Sequence, residues 1–197
     1  MAVLSTSANT PIDVSSRALI LIGAEPITSF EDGTSESLIA ANMYEDIARS
    51  ALVNSRWRFA TNQSVLNRLS EKPTGRYEAA YQIPSDSLML HAVTVNGFNI
   101  EYQTYGDKIF CDASDTSEVV LDYTFRTSEQ DWPSYFVLAV QFELASVFAS
   151  SLAQDASLAQ LMGQQAQLSM MRARTLDSQQ QTTRKLSTSR FIAERRS

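Results

Sequence analysis

The chain predicts an α+β fold: a helical bundle body, an inserted antiparallel β-sheet domain, and an extended C-terminal arm. Three observations carry this expectation. Apolar residues recur at helical spacing between capping signals over residues 11–60. The period changes to two over residues 77–125, around an Asn96-Gly97 pair. Helical patterning returns at Pro133 and runs to about residue 181, ahead of a charged tail with little apolar content.

Residues 1–10 are small and polar and are expected to form a flexible N-terminus without the charge or apolar core of a secretory signal. Thr10-Pro11-Ile12-Asp13 starts the first helix, with Thr10 as cap, Pro11 at the first helical position and Asp13 at the positive end. Val14, Ala18, Leu21 and Ile22 give its apolar side. Gly23, three residues before Pro26, stops it in a left-handed conformation. Thr34 or Ser35 caps a second helix that is expected to run to Arg56. Ala40, Tyr44, Ile47 and Ala51 form its stripe, widened by Met43, Ala48 and Leu52.

Strands follow at 77–83, 88–95, 98–102, 108–111 and 119–125, giving four or five antiparallel strands with one apolar face. Asp131-Trp132-Pro133 reopens helix, and residues 137–149 are apolar nearly all round, as in the central helix of a body. A break near Gln154-Asp155-Ala156 precedes a long, weakly amphipathic helix. Leu158, Leu161, Met162 and Leu168 are its expected stripe. Its Gln-rich remainder reads either as solvated surface or as a polar subunit contact. The domain organisation is then a flexible 1–10, a helical body of 11–60 and 131–182, a β domain of 61–128, and an arm of 183–197.

Formal charge is −6, unevenly spread: from Arg172 onward seven Lys or Arg face two acids, a net +5 that leaves −11 on residues 1–171. An acidic body disfavours wrapping DNA, because phosphate binding requires positive surface. The lone Cys111 excludes an intrachain disulfide and suits a reducing compartment. No stretch is expected to be long and apolar enough to cross a membrane.

Two islands bracket the second helix: Leu21-Ile22-Gly23-Ala24-Glu25-Pro26-Ile27 with its acidic turn Glu31-Asp32-Gly33, and Arg56-Trp57-Arg58-Phe59-Ala60. With Pro84-Ser85-Asp86 after an aromatic strand, the apolar helix from Pro133, and the closing Ser189-Arg190-Phe191-Ile192-Ala193-Glu194-Arg195-Arg196, this order resembles the head–tail connector (adaptor) proteins of tailed bacteriophages. That group includes the tail tubular protein A of short-tailed phages and the adaptors of gene transfer agents. The sequence departs from the family where Phe191 stands in place of a more usual Trp, and in its Gln-rich 163–183. The resemblance implies a structural virion protein at the head–tail junction, made in the host cytoplasm. It implies a ring of twelve copies between the portal protein ring and the next tail component, a nozzle or tail-tube completion protein. DNA passes through such a channel without sequence-specific binding, and no membrane is involved.

Catalytic candidates are sparse, and no enzyme, metal or cofactor is expected. His91 sits alone in a strand and reads as structural. A Cys111–His91 dyad requires the 88–95 and 108–111 strands to pair. Glu31-Asp32 and Asp112 with Asp115 are the carboxylates open to a polysaccharide hydrolase, the least favoured reading. The tail offers Arg184, Lys185, Arg190, Phe191, Ile192, Arg195 and Arg196 as the portal-binding set implied by the resemblance. The same residues also fit a DNA-packaging accessory gripping phosphate, or a solubilising terminus. The Phe191-Ile192 pair favours docking, since phosphate binding needs no apolar anchor.

Overall fold

The computed structural model describes residues 9–71 and 73–180. It is a mixed α+β fold with four α-helices and two antiparallel sheets among these residues. The first helix, α1 (Pro11–Leu21), opens on a reciprocal cap: Asp13 N donates to Thr10 Oγ1, and Thr10 N donates back to the Asp13 carboxylate. It closes as a Schellman motif, with Ala24 N bonded to Leu19 O, Gly23 N bonded to Ile20 O, and Gly23 at φ +77°. Its buried side is Val14, Ser15, Ala18 and Leu19; Leu21 is turned outward instead of joining the stripe.

Helix α2 (Ser35–Val53) starts on Thr34 and buries Ala40, Tyr44, Ala48, Ala51 and Leu52. It ends at Val53, short of the expected Arg56, so Trp57 and Phe59 sit in the turn beyond it. Helix α3 (Ser134–Ser151) is the central element, packed against α1, α2 and α4 (Ala156–Gln179). By length and composition α3 is apolar enough to cross a membrane, correcting the expectation that no stretch is. Here Phe136, Val140, Leu144 and Phe148 are buried in the core shared by the helices. Asp155 caps α4 by accepting from Ser157 N and Leu158 N.

The packing face of α4 differs from the expected stripe. Leu161 and Leu168 are 49% and 44% exposed, while Ala166, Met170, Ala173 and Asp177 are buried. Small residues win this face because α3 lies close: a Cβ on Gly163 would meet Ser146 Oγ at 3.3 Å.

Seven strands lie between α2 and α3 in the chain: β1 (Thr61–Val65), β2 (Ala79–Gln82), β3 (Ser87–Val95), β4 (Phe98–Asn99), β5 (Tyr102–Tyr105), β6 (Lys108–Cys111) and β7 (Val119–Phe125). They form two sheets, β1-β7-β3-β4 and β2-β6-β5, where one sheet of four or five strands was expected. Two features account for the difference. The polar Thr-Asn-Gln-Ser-Val run pairs with β7 as an edge strand and so shows no apolar alternation. The expected 98–102 strand divides between β4 and β5, as the chain passes from one sheet to the other. Asn96 and Gly97 form the two-residue hairpin loop at φ 51° and 81°. The sheets share a second core of Tyr81, Val93, Ile109, Val119 and Leu121.

Candidate functional site

The Arg56-Trp57-Arg58-Phe59-Ala60 island is the junction where α2 ends, β1 begins and α4 comes to rest. Trp57 is fully buried and its Nε1 donates to Ala51 O at 2.9 Å, satisfying a carbonyl of the last turn of α2. Its ring meets Phe136 edge-on at 5.1 Å, and Phe59 and Trp132 each approach Phe136 to 4.9 Å. Such edge and tilted pairings set the positive ring edge against a π face. Burial of the aromatics turns the alternate side chains, Arg56 and Arg58, outward to solvent.

The two arginines differ in their partners. Arg56 Nη2 pairs with Asp122 Oδ2 at 3.2 Å, while Asp122 Oδ1 is buried with no hydrogen-bond partner among the described residues. Arg58 uses its backbone: the N–H donates to Asp177 Oδ2 at 3.2 Å, and Tyr135 Oη donates to Asp177 Oδ1 at 2.9 Å. Burial, then the Asp177 bond, pushes the Tyr135 phenol up to about 12. The Arg58 guanidinium makes no hydrogen bond or ion pair among the described residues. With Thr61, Asn62 and Gln63 the arginines line an open polar cleft of about 700 Å³. Thr61 Oγ1 donates to Trp57 O and Asn62 Nδ2 to Tyr123 Oη, which leaves the guanidinium of Arg58 and the amide of Gln63 as donors suited to an anion.

A second ionic group fixes helices to sheet. Arg126, just past β7, pairs with Glu45 of α2 at 2.9 Å and with Glu129, and lies 5.5 Å from the Trp132 ring centre. Tyr44 Oη donates to Glu129 Oε1 at 3.0 Å, and burial with the Glu129 charge raises the Tyr44 phenol. Sequence reasoning missed this cluster, because its members are scattered over residues 44–132 and nothing local ties them. It also missed Asp177, although the Ala166, Met170, Ala173, Asp177 spacing places that acid on a small-residue helical face.

The catalytic candidates occupy separate places. His91 Nε2 lies 2.8 Å from Thr124 Oγ1, and burial and the Arg56 charge hold its imidazole below the usual range. Cys111 is buried in β6, which pairs with β2 and β5, so the β3 pairing that a Cys111–His91 dyad requires does not form. Burial pushes its thiol up to about 11. Asp32 accepts from the N–H groups of Thr28 and Ser29, and those bonds lower its carboxyl. Glu31 is exposed. Asp112 accepts from Glu78 N, and Asp115 pairs with Arg68 at 2.8 Å. Each of these three aspartates has a hydrogen-bond or ion-pair partner of its own.

The residues expected to bind a portal, Arg184, Lys185, Arg190, Phe191, Ile192, Arg195 and Arg196, lie outside the described residues, as do most of residues 1–10, for which a flexible terminus is expected. The description ends at Gln180, whose Nε2 is 3.5 Å from Tyr135 Oη, beside the Asp177–Arg58 contact. No protein-family model matches the chain, and no curated protein matches it.

Proposed function

We propose that the chain is a structural virion protein, an adaptor subunit whose ring joins the portal to the tail and extends the DNA channel. In this reading the helices form a bundle body, the two small sheets form an inserted domain, and residues 183–197 form an arm that docks on the portal. The ring has twelve copies, and its far face receives the next tail component. The reading assigns no catalytic residue, metal or cofactor. The observation that carries it is the placement of the two sequence islands at opposite ends of α2. Their apolar residues Ile27, Trp57 and Ala60 are buried in the core around α3, while Glu25, Glu31, Arg56 and Arg58 face outward. The family's most characteristic residues thus hold one helix rigidly and leave charged groups at both of its ends for contacts between molecules.

Negative-stain images of the purified protein with and without portal test this. Rings, or portals carrying an added tier, are expected; portals that stay bare and a protein that never forms rings would sink it. A DNA-packaging accessory that grips DNA through Arg184, Lys185, Arg190, Arg195 and Arg196 is the second reading; the Arg58 guanidinium, which makes no hydrogen bond or ion pair among the described residues, would add a further donor. That reading requires duplex DNA binding that falls steeply with added salt.

A further inference from the structure

We infer that the Arg56–Arg58 cleft of one molecule receives the acidic turn of a second copy, so that molecules associate head to tail along α2. The inference rests on the adaptor-ring reading and names the contact between its subunits. Donors line the cleft: the Arg58 guanidinium makes no hydrogen bond or ion pair among the described residues, and the Gln63 amide lies with it, while Thr61 Oγ1 and Asn62 Nδ2 are already donating, to Trp57 O and Tyr123 Oη. Arg56 is held over the cleft by Asp122. The complementary group is on the same chain. Glu25 and Glu31 are exposed, and neither side chain makes a hydrogen bond or ion pair among the described residues. Asp32 folds the turn that carries Glu31 by accepting from Thr28 and Ser29 N–H. Leu38, 64% exposed in the first turns of α2, lies beside it as an apolar contact.

The two groups stand at opposite ends of α2, a helix of 19 residues, or about 28 Å at 1.5 Å per residue. They therefore cannot neutralise one another within one molecule. A contact joining two different patches is heterologous, and it generates a closed ring when the rotation between copies closes. The helix dipole accounts for Glu36, inside the first turn. Glu25 and Glu31 lie outside the helix and Arg58 lies past its end, so the dipole leaves them unexplained. A nucleic acid is the poorer occupant, since residues 1–171 carry a net −11.

Reversing charges tests the pairing. The wild type, R58E, E31R and the R58E/E31R double variant are compared by sedimentation velocity at low and high salt, and by imaging on purified portal. Circular dichroism checks that each is folded. Self-association of the wild type is expected to weaken with salt. Each single reversal is expected to weaken it at least about tenfold, with the double variant returning to within about threefold. If folded R58E and E31R still form wild-type rings on portal, this contact is overturned while the ring reading stands. Folded single variants that fail, with a double variant that also fails, overturn the Glu31–Arg58 pairing. A wild type that neither self-associates nor assembles on portal overturns both. If R58E instead abolishes binding to duplex DNA and leaves association intact, the cleft belongs to nucleic acid and the inference falls.

Discussion

The backbone N–H of Arg58 donates to Oδ2 of Asp177 across 3.2 Å, joining residues 119 apart in the chain. Asp177 is 5% exposed, and its other oxygen accepts from Tyr135 at the start of α3. One carboxylate therefore fixes where α4 ends relative to the turn that carries Arg56 and Arg58. Asp177→Ala should lower stability by about 2 kcal/mol, because it strands an amide and a phenol whose acceptors are removed. Tyr135→Phe should cost about 1 kcal/mol, since it removes one bond and strands less. Urea unfolding of both variants and of the pair checks this. Additive losses would show that the two residues are not coupled.

The Arg126 cluster has a pH signature. The Arg126 bond holds the Glu45 carboxyl below its ordinary value of 4.5. A carboxyl lowered by folding contributes stability above its unfolded value and loses it as pH falls through the folded one. Acidification below about pH 4.5 should therefore lower Tm, and Glu45→Gln should flatten that part of the profile. Arg126→Met should be severe at neutral pH, about 3 kcal/mol, because it leaves the buried Glu129 uncompensated. Adding Glu129→Gln to Arg126→Met should recover part of the loss.

Glu143 should show the opposite sign. It is half-buried in the groove between α2, α3 and α4, with no hydrogen bond or ion pair among the described residues, and burial raises its carboxyl despite the charge of Arg174. A carboxyl raised by folding means that the folded protein binds more protons, so stability falls as pH rises from the unfolded value through the folded one. Glu143→Gln should therefore stabilise at pH 7 and lose that advantage toward pH 4. Thermal melts at the two pH values decide it; a destabilised Gln variant at pH 7 would mean that the carboxylate has a favourable partner.

What the sequence made legible was local chemistry. Thr10 and Thr34 announce helix starts, because capping joins neighbours two or three residues apart. Asn96-Gly97 announces a hairpin because it tolerates positive φ at both positions. What stayed hidden depends on distant partners. Thr61–Val65 becomes a strand only because β7 offers it a ladder. The face of α4 is set by the closeness of α3, which favours Gly163, Ala166 and Ala173 over the leucines that the pattern suggested. The candidate site was half visible. The island of residues 56–60 stands out in the sequence, but its cleft and its tie to Asp177 exist only in the fold.

The turn after α1 isolates a backbone effect. Gly23 sits at φ +77° with nothing within 4 Å of where a Cβ would lie. Gly23→Val should therefore be destabilising through conformation alone, by about 1 kcal/mol or more. Gly23→Asn should lose less, since Asn tolerates the left-handed region. Chemical denaturation distinguishes them; equal losses for Val and Asn would point to something other than backbone strain.

The proposed function turns on residues 183–197. Phe191-Ile192 stands among Arg190, Arg195 and Arg196, on a chain whose first 171 residues carry −11. An aromatic flanked by arginines has the composition of a buried protein–protein anchor. Truncation after Thr183 retains every described element, so the shortened protein should fold. It should fail to attach to portal, leaving filled heads without tails. Phe191→Ala alone should weaken attachment by about 2 kcal/mol or more, the loss typical of a buried aromatic anchor. Phosphate binding forecasts the reverse: Phe191→Ala would be nearly silent, and the intact protein would hold duplex DNA in a strongly salt-dependent way. Portal pull-down and DNA mobility shift, run on the intact protein, the truncation and Phe191→Ala, separate the two. Tight DNA binding lost with the arm would reassign the protein to DNA packaging.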